Sequence, residues 1–522
     1  MRVLLISTPY PLEENPIPSL SLSYLAAVLQ KEGIEVQMLD LLVAQYSGDK
    51  IRHKLEEYQP QVVGATCVTL NYPTAARILK VCKDFDPGIV TVIGGPHVSF
   101  ALKETLLRAP WIDVVVIREG ERTLVELIRA LERGTGFGQV AGIAFREDKR
   151  VVQTEPRPPI ENLGELPLPA RHLLPLSKYR ALVAPCNIIT SRGCPYGCIF
   201  CSGRRIFGRK VRFRHPKLVV DELEVIHKEL SFEKINIVDD TFTANHRHAR
   251  DVCDEIIRRN LDIQWTAFAR VDTVTPELVE IMKAAGCSYV LFGVESGSQE
   301  ILNTIKKGIT VDDVRKGVKI TTEAGIGVFA SFILGLPGES PETARQSVAF
   351  AKELRSEYGA KYGFHLLSPL PGTELYEKAE EYGLRILTRN WARYDANEPI
   401  TETATMSTEA VREIIADYDR AVAYAWEEMK CQVEAGDPVH KQEVEQKLSQ
   451  EFVWRLLKDD VIEKLGRIKA SHPSDAEEKL AQRVSQRLAV PLPVAQREMA
   501  RLIRRGMLKC EGGSGGFTWK WS

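Results

Sequence analysis

Short, uninterrupted apolar runs alternate with amphipathic helical patterns through residues 1–145. The apolar runs are "RVLLIST", "VQMLDL", "VVGATCV", "IVTVIGG" and "DVVVIREG", and the helical patterns include "SLSYLAAVLQKEG", "AARILKVCKDF" and "TLVELIRALERG". Strands that are buried on both faces of a parallel sheet are continuously apolar, whereas half-exposed strands alternate in polarity. The pattern therefore predicts a doubly wound, Rossmann-like α/β domain.

The loops after the carboxyl ends of these strands are the expected ligand-binding part of such a domain. They read "TPYPLEENPIPS", "TLNYPT", "GGPHVS" and "REGERT". Gly94 and Gly95 allow the backbone to approach a ligand closely, although tight turning alone also explains a glycine pair.

Four further segments follow this domain. Residues 146–186 are rich in proline, but their Leu and Tyr content predicts an ordered connector and not a flexible linker. Residues 187–385 resume the alternation with six strand candidates, which predicts a partial (βα)6 barrel with its chemistry at the carboxyl ends of the strands. The pattern of residues 386–460 predicts long amphipathic helices. The pattern of residues 461–522 predicts a helix, a turn, a second helix and a hairpin, which is the order of a winged-helix-like domain.

The composition is that of an ordinary soluble protein, with 27% charged residues, 44% hydrophobic residues and a net charge of −1. Any nucleic-acid site therefore requires a local patch. The N-terminus predicts a first β-strand and not a signal peptide, and no apolar run is long enough to predict a transmembrane helix. The low cysteine density predicts a reducing, cytoplasmic location.

The stretch "SRGCPYGCIFCSG", residues 191–203, places Cys194, Cys198 and Cys201 within eight residues. A structural zinc site uses four ligands, commonly in two paired groups, and this stretch supplies three. An iron–sulfur cluster with four irons that is held by three thiolates keeps one iron open for another ligand, which suits catalysis. Zinc binding is the alternative.

In its spacing, and in the aromatic Phe200 before the last cysteine, the stretch resembles the signature of the radical S-adenosylmethionine (SAM) enzymes. The resemblance covers about residues 187–385. It implies a [4Fe-4S] cluster held by Cys194, Cys198 and Cys201, with the amine and carboxylate of SAM on the open iron. It also implies an external one-electron reductant of the flavodoxin or ferredoxin type.

Motifs at other strand ends are similar to those with which this family binds SAM, namely "VDDTF", "FAR", "GVESG" and "ILGLPGE". Arg270 would pair with the SAM carboxylate, and Glu295 would accept hydrogen bonds from the ribose. Asp239 or Asp240 would accept from the ammonium group, although both are equally well explained as helix caps. The implied SAM-binding residues are Phe200, Asp239, Asp240, Arg270, Glu295, Ser296, Gly335 and Glu339.

The N-terminal domain, with its Pro-rich first loop and "GGPH" after the fourth strand, resembles the cobalamin-binding domain of the cobalamin-dependent subclass. The last loop of that subclass usually reads Gly-Glu-Gly-Glu, whereas here it reads "REGE". The motif Asp-x-His-x-x-Gly is absent from the sequence, so we expect His97 to pack in its loop or contact the cofactor tail. A scaffold that has lost its cofactor is the alternative. The implied cobalamin contacts are Thr8, Pro9, Tyr10, Thr69, Asn71, Gly94, Gly95, His97, Glu119 and Gly120.

The resemblance implies that a 5′-deoxyadenosyl radical derived from SAM removes hydrogen from an unactivated carbon. With cobalamin present, the expected outcome is methylation of that carbon through methylcobalamin. Radical cyclisation or oxidation without methyl transfer is the alternative, as in the anaerobic cyclase that forms the fifth porphyrin ring. A non-catalytic redox or corrin sensor with a DNA-binding winged helix is disfavoured by the intact SAM motifs.

The substrate is expected to be a small molecule, a lipid or a peptide, and no residue identifies it. Tyr362 and His365 on the last barrel strand are candidates for substrate contact or proton transfer. Basic residues of the C-terminal segment are interspersed with acids, which favours a solvated face over a nucleic-acid patch; a leader peptide is a further partner hypothesis. These residues are Lys479, Arg483, Arg487, Arg497, Arg501, Arg504 and Arg505.

Overall fold

The structure, a computed structural model, describes residues 1–10, 16–513 and 516–522. Part of the first predicted ligand loop, residues 11–15, lies outside the described residues. The described chain forms an N-terminal α/β domain, a second α/β domain of parallel strands and a C-terminal helical region.

The N-terminal sheet has the strand order β2-β1-β3-β4-β5-β6-β7 in the described residues, with β1 to β5 parallel and the last two strands antiparallel. Its strands are Arg2–Ser7 (β1), Glu35–Asp40 (β2), Val62–Thr66 (β3), Val90–Gly94 (β4), Val114–Val116 (β5), Ile143–Glu147 (β6) and Arg150–Gln153 (β7). Its helices are Leu20–Lys31 (α1), Gly48–Tyr58 (α2), Tyr72–Phe85 (α3), Pro96–Phe100 (α4), Leu102–Arg108 (α5) and Glu121–Arg133 (α6).

Separate apolar clusters cover the two faces of this sheet, one with α1 and α6 and the other with α2 and α3. This arrangement confirms the predicted doubly wound fold. The order in which successive strands are added to the sheet reverses between β1 and β3. Ligands bind at such a switch point, outside the carboxyl ends of the strands. The β6–β7 hairpin crosses residue 145, where the sequence analysis ended this domain.

The second sheet has the order β15-β14-β13-β12-β11-β8 in the described chain, and its neighbouring strands are all parallel. The strands of this region are Cys186–Ile188 (β8), Ser191–Arg192 (β9), Arg212–Phe213 (β10), Lys234–Ile237 (β11), Gln264–Ala269 (β12), Cys287–Glu295 (β13), Gly327–Leu334 (β14) and Lys361–Leu366 (β15). The helices are Leu176–Ala181 (α7), Gly203–Phe207 (α8), Pro216–Glu224 (α9), His246–Arg258 (α10), Pro276–Ala284 (α11), Gln299–Thr304 (α12), Val311–Glu323 (α13) and Pro341–Tyr358 (α14). The sheet is open between β8 and β15, which confirms the predicted partial barrel.

The C-terminal region is helical and ends in a hairpin. Its helices are Glu374–Glu377 (α15), Thr408–Glu434 (α16), Lys441–Lys458 (α17), Val461–Leu465 (α18), Pro473–Leu488 (α19) and Leu492–Arg504 (α20). Its strands are Arg385–Ile386 (β16), Thr401–Glu402 (β17), Leu508–Gly513 (β18) and Gly516–Trp521 (β19). The antiparallel β18–β19 pair after α19 and α20 matches the predicted winged-helix-like order. Within the described ranges, no helix is long and apolar enough to cross a bilayer.

Candidate active site

The three clustered cysteines lie on a loop, residues 193–211, that begins after β9 and ends at β10, and these two strands pair antiparallel. The Cys194 N–H donates to the Gly208 carbonyl at 3.2 Å, which closes the loop on itself. Gly193 has a φ of 108°, and a Cβ at this residue would lie 2.6 Å from the Lys210 carbonyl oxygen. A side chain there would force the two ends of the loop apart.

The thiols of this loop fit the donor set of an iron–sulfur cluster. Cys194 and Cys198 are half-buried and Cys201 is exposed. Burial raises the pKa of the Cys194 thiol, but a bound metal holds its sulfur ligand as thiolate. Burial of the sulfur raises the pKa of the Cys201 thiol to about 11, and the Gly203 N–H, which donates to Cys201 Sγ at 3.4 Å, offsets part of that increase.

Among the described residues, no three Cys, His, Asp or Glu side chains lie close enough to hold a single metal ion. A closed zinc site requires its ligands to converge on one ion, whereas each thiolate of a cubane cluster binds a different iron. Three thiolates on one loop fit the donor set of a cluster that keeps one iron open.

The two aspartates after β11 have different environments. Asp239 Oδ1 accepts from the N–H groups of Thr190 and Ser191 at 2.6 and 3.1 Å, and Oδ2 accepts from their hydroxyls at 2.5 and 2.7 Å. The Asp239 carboxylate thus holds the segment that leads into β9 and has no open side for a ligand. Asp240 is exposed beside the cysteine loop, where a Cβ on Gly203 would lie 2.6 Å from Asp240 Oδ1.

Arg270, directly after β12, is fixed against the cysteine loop. Its guanidinium lies 3.7 Å from the centroid of the Tyr196 ring, in a cation–π contact. Its Nε and one terminal nitrogen donate to the Asp272 carboxylate at 3.0 and 2.9 Å, and the same terminal nitrogen donates to the Lys307 carbonyl at 3.0 Å. These contacts hold a buried positive charge beside the loop.

Glu295 at the end of β13 forms a buried ion pair with Lys307, with Oε1 2.7 Å from Nζ. The φ of Glu295 is 71°, and the pairing of β13 with β14 shifts register between Gly293 and Glu295. Strained backbone of this kind is common at functional sites. A Cβ on Gly293 would lie 2.4 Å from Glu295 Oε1, so glycine leaves the space that the carboxylate fills.

Lys307 and Gly293 are site residues that the sequence analysis missed. A glycine inside a strand is a recognised sign of a bulge, so Gly293 carried a usable signal. Lys307 lies in "IKKGI", which matches no functional motif. Its pairing with Glu295 could be recognised only in the folded structure.

Ser296, Gly335 and Glu339 stabilise turns. The Ser296 hydroxyl is fully buried and lies 3.0 Å from the hydroxyl of Ser347 on α14. The Gly335 N–H donates to Glu339 Oε2 at 2.6 Å, and Gly335 has a φ of 88°. Burial raises the pKa of Glu339 to about 8, and its Oε1 has no partner among the described residues.

The two candidate catalytic residues of β15 point to opposite faces of the sheet. The Tyr362 ring contacts Phe364 and Tyr418 of α16, so it faces the helical layer. His365 is exposed on the other face, beside Ile333 in the strand register. Of the two, His365 lies on the inner face of the barrel. Phe200 is half-buried and packs on the barrel core.

The inner face of the barrel is an apolar wall with a few polar groups. Phe268, Leu291 and Phe329 are neighbours in the strand register, and Phe268 is 43% exposed although it lies inside a strand. Thr266 donates to Asn236 at 2.7 Å below this row. The exposure of Phe268 shows that the inner face is open to solvent.

The ends of the N-terminal strands are tied to one another. Thr8 donates from its hydroxyl to the Thr66 carbonyl at 2.8 Å, and the Asn71 amide donates to the Thr8 carbonyl at 3.4 Å. Pro9 is half-buried and Tyr10 is exposed. Gly95, which follows Gly94, has a φ of 113°, and a Cβ on Gly95 would lie 2.2 Å from the Cys67 carbonyl oxygen. Residue 95 therefore has no room for a side chain.

His97 is packed in its loop, and its ring lies 4.5 Å from the ring centroid of Tyr72 and 5.0 Å from that of Trp391. Its Nδ1 lies 3.3 Å from the Thr69 hydroxyl, whereas its Nε2 has no partner in the described chain. Burial lowers the pKa of His97 to about 4, so the imidazole is neutral at pH 7. An orphaned buried nitrogen beside the strand ends fits a bound ligand at this site.

The Glu119 carboxylate faces the barrel domain. It accepts hydrogen bonds from Arg192 and Arg212 and from the Ile160 N–H. Gly120 packs closely on Leu25, where a Cβ would approach to 3.3 Å. The structure therefore engages Glu119 in a contact between domains.

Comparisons with known proteins agree with this architecture. Residues 188–351 match the Radical SAM superfamily, and residues 14–128 match the B12 binding domain. The chain is 36% identical over 399 residues to an uncharacterized methyltransferase of Pyrococcus horikoshii, covering 76% of this chain and 86% of that protein.

It is 30% identical over 437 residues to the anaerobic magnesium-protoporphyrin IX monomethyl ester cyclase of Rubrivivax gelatinosus, covering 80% of this chain and 77% of that protein. The fold is similar to that of the cobalamin-dependent S-adenosylmethionine radical enzyme OxsB, with a TM-score of 0.71 and 19% identity over 97% of this chain and 79% of that chain. With the motif, both domain matches and the relatives in agreement, the chain belongs to the cobalamin-dependent radical SAM enzymes.

Proposed function

We propose that this protein methylates an unactivated carbon of its substrate, using a [4Fe-4S] cluster, SAM and cobalamin. The observation that carries the proposal is a direct bond between the two cofactor modules. Arg192, two residues before Cys194, donates to Glu119 in the last ligand loop of the N-terminal domain at 2.8 Å. The resemblance to a methyltransferase over most of the chain supports the same reaction.

When bound, the cluster would supply the electron that cleaves SAM to a radical, and cobalamin would supply the methyl carrier. Cys194, Cys198 and Cys201 would hold the cluster. Arg270 is held beside it by its ion pair with Asp272, and its guanidinium would also donate to the SAM carboxylate. The buried pair of Glu295 and Lys307 supplies a carboxylate and an ammonium group suited to polar groups of the same ligand.

The inner face of the barrel supports a substrate whose reacting part is largely apolar. Phe268, Leu291 and Phe329 form its wall, and His365 is a hydrogen-bonding group on the same face. A substrate bound against this apolar wall would cover it, and the contact would hold an unactivated carbon and keep water from a reactive radical. His365 would donate a hydrogen bond to the substrate or accept a proton from it.

Radical cyclisation or oxidation without methyl transfer is the second candidate, and the similarity to the cyclase of Rubrivivax gelatinosus favours it specifically. The two reactions would share the cluster and SAM. They differ in whether the methyl group of SAM leaves with the product.

The ion pairs of the C-terminal region favour a structural role within the enzyme over nucleic-acid binding. Arg497 and Arg501 pair with the buried Glu498, and Arg505 pairs with Glu233 of the barrel domain. Basic groups that pair with acids of the same chain contribute little to a phosphate-binding face.

The family requires an external one-electron reductant, and we propose one of the flavodoxin or ferredoxin type. The exposed position of Cys201 supports electron entry through the surface of the cysteine loop.

Anaerobic reconstitution with iron, sulfide and hydroxocobalamin, followed by quantification of both SAM products, tests the proposal. Methyl transfer predicts S-adenosylhomocysteine that depends on cobalamin, together with 5′-deoxyadenosine that is abolished in Cys198→Ala. Release of 5′-deoxyadenosine alone would favour the cyclase or oxidase reaction. Absence of both products from reduced, cluster-loaded protein would contradict an enzymatic role.

A further inference from the structure

The strands that bracket the cysteine loop carry two arginines directly opposite each other. In the β9–β10 ladder Arg192 and Arg212 are Cα partners, so their side chains leave the same face of the ribbon. Both are buried, at 7% and 3% side-chain exposure. Two like charges at such a pair repel each other, so the stem of the loop requires negative charge from elsewhere.

Glu119 and Glu121 of the REGE loop, residues 118–121 after β5, supply that charge. Arg192 donates to Glu119 Oε1 at 2.8 Å with one terminal nitrogen and to Glu121 Oε1 at 2.5 Å with the other. Arg212 donates to both oxygens of Glu119 at 3.0 Å. We call these four side chains the clamp.

The clamp is electrically balanced and enclosed. Two carboxylates meet two guanidinium groups, and all four side chains are at most 7% exposed. The guanidinium of Arg192 also lies 5.6 Å from the ring centroid of Tyr24 on α1 and 5.7 Å from that of Phe207 on α8. Removal of one partner from such a group leaves an uncompensated buried charge. Substitution of any one of the four side chains should therefore destabilise the other three.

The REGE loop is also bonded to the ligand loop after β4. The Ser99 hydroxyl donates to the Gly95 carbonyl at 2.8 Å and accepts from the Arg118 N–H at 2.9 Å. Arg118 has a φ of 61°, a conformation that favours glycine, and it stands where the subclass usually has glycine. A continuous series of bonded groups thus joins Gly95 to Arg192, two residues before Cys194.

We infer that Glu119 and Glu121 are positioning residues that couple ligand binding in the N-terminal domain to the placement of the cysteine loop. A ligand at the strand ends fixes the Gly94–Gly95 backbone, Ser99 transmits that constraint to the REGE loop, and the clamp transmits it to the stem of the cysteine loop. The inference rests on both cofactor sites but not on methyl transfer.

Hydrogen–deuterium exchange tests the coupling on the full-length protein, reconstituted anaerobically with iron and sulfide, with and without hydroxocobalamin. Peptides that cover residues 190–213 report on the cysteine loop. In the wild type we expect cobalamin to slow exchange there about fivefold, at the low end of typical coupling between two sites. A wild-type loop that does not respond to cobalamin would overturn the inference before any variant is made.

Glu119→Gln and Glu121→Gln keep the shape of the side chain and remove one charge from the clamp. We expect the slowing of exchange to fall below about twofold in both variants. Glu121, unlike Glu119, is not among the implied cobalamin contacts, so Glu121→Gln should retain cobalamin by absorbance. Glu498→Gln is the matched control, because Glu498 is a buried carboxylate that accepts from Arg501 and Ser449 in the C-terminal region. It should keep the wild-type response.

A wild-type response in both glutamate variants would overturn the inference. Arg192→Lys provides the test if the two glutamate variants fail to fold. Lysine keeps the positive charge but lacks the planar guanidinium that donates to two carboxylates at once. A full cobalamin response in Arg192→Lys contradicts the coupling, and a reduced one supports it. The measurement involves no SAM turnover, so failure of methyl transfer would leave its result intact.

Discussion

At the scale of single residues, the lack of a side chain at Gly293 makes room for the Glu295 carboxylate at the end of β13. Gly293 lies inside the strand, and the Glu295 carboxylate folds back over it to meet Lys307. The positive φ of Glu295 aims its side chain at that space. The ion pair therefore depends on glycine at residue 293.

Gly293→Ala should weaken SAM binding. The new Cβ would lie 2.4 Å from Glu295 Oε1 and 2.9 Å from Lys307 Nζ, so the pair must move. Overpacking of this kind costs about 1–3 kcal/mol, and we expect roughly tenfold weaker binding of SAM to the cluster-loaded protein in equilibrium dialysis. Gly138→Ala is the control, since a Cβ there meets nothing within 4 Å. Equal SAM affinity in the two variants would show that the pair does not contact SAM.

Asp239→Asn should destabilise the fold more than Asp240→Asn. The amide of an asparagine at residue 239 would face the N–H and hydroxyl donors of Thr190 and Ser191 and could not accept from all of them. We expect a loss of about 1–3 kcal/mol in the free energy of urea unfolding. The exposed Asp240 should change it by less than about 0.5 kcal/mol. Equal losses would contradict the assignment of Asp239 to the fold.

The prediction that these acidic residues lie at strand ends was possible because the apolar runs in the sequence mark where each strand ends. It did not distinguish their environments, since these depend on residues far away in the chain. Asp239 binds Thr190 and Ser191, Glu295 meets Lys307, and Glu119 meets Arg192 across a domain boundary. Hydrophobic periodicity contains no information on such partners.

At the scale of elements, the turn after β14 buries a carboxyl group that has no charged partner among the described residues. Glu339 is fully buried, and burial raises its pKa to about 8 from an ordinary value near 4.5. As pH rises between these values, the unfolded chain ionises while the folded protein keeps its proton. The stability that Glu339 contributes is therefore complete below about pH 4.5 and is lost as pH rises towards 8.

Glu339→Gln should remove this dependence. The free energy of unfolding of the variant, relative to the wild type, should increase from pH 5 to pH 8 and then stay constant, because both states of the wild type are ionised above that range. Urea unfolding across this pH range measures it. Glu342→Gln, an exposed position on α14, serves as the control. A difference between Glu339→Gln and wild type that does not vary with pH would contradict the buried, protonated carboxyl.

The longer strands were predictable as elements, and the shortest ones were not. The six parallel barrel strands appear as apolar runs, whereas β9 and β10 have two residues each in the structure. Two residues show no periodicity, so the pairing of β9 with β10 could not be predicted from the sequence. Arg192 and Arg212 on these strands bind Glu119 of the REGE loop, a contact that depends on how the two domains pack.

At the scale of the whole molecule, the C-terminal region binds back to the N-terminal domain. Trp391 and Tyr394 join the apolar cluster that contains Tyr72, and Asp460 accepts from the Gln45 N–H at 3.1 Å and from Lys50. The domain order was predictable from the succession of patterns. The packing of residues 391–394 beside His97 was not, because it joins segments that are far apart in sequence.

The fate of the SAM methyl group distinguishes methyl transfer from cyclisation or oxidation. Reconstituted enzyme is supplied with reductant, SAM carrying an isotopically labelled methyl group, and a small-molecule extract of the source cells. We expect S-adenosylhomocysteine together with a new product that contains the label. Protein prepared without cobalamin should form no labelled product. Cleavage of SAM with all of the label recovered in methionine would contradict methyl transfer.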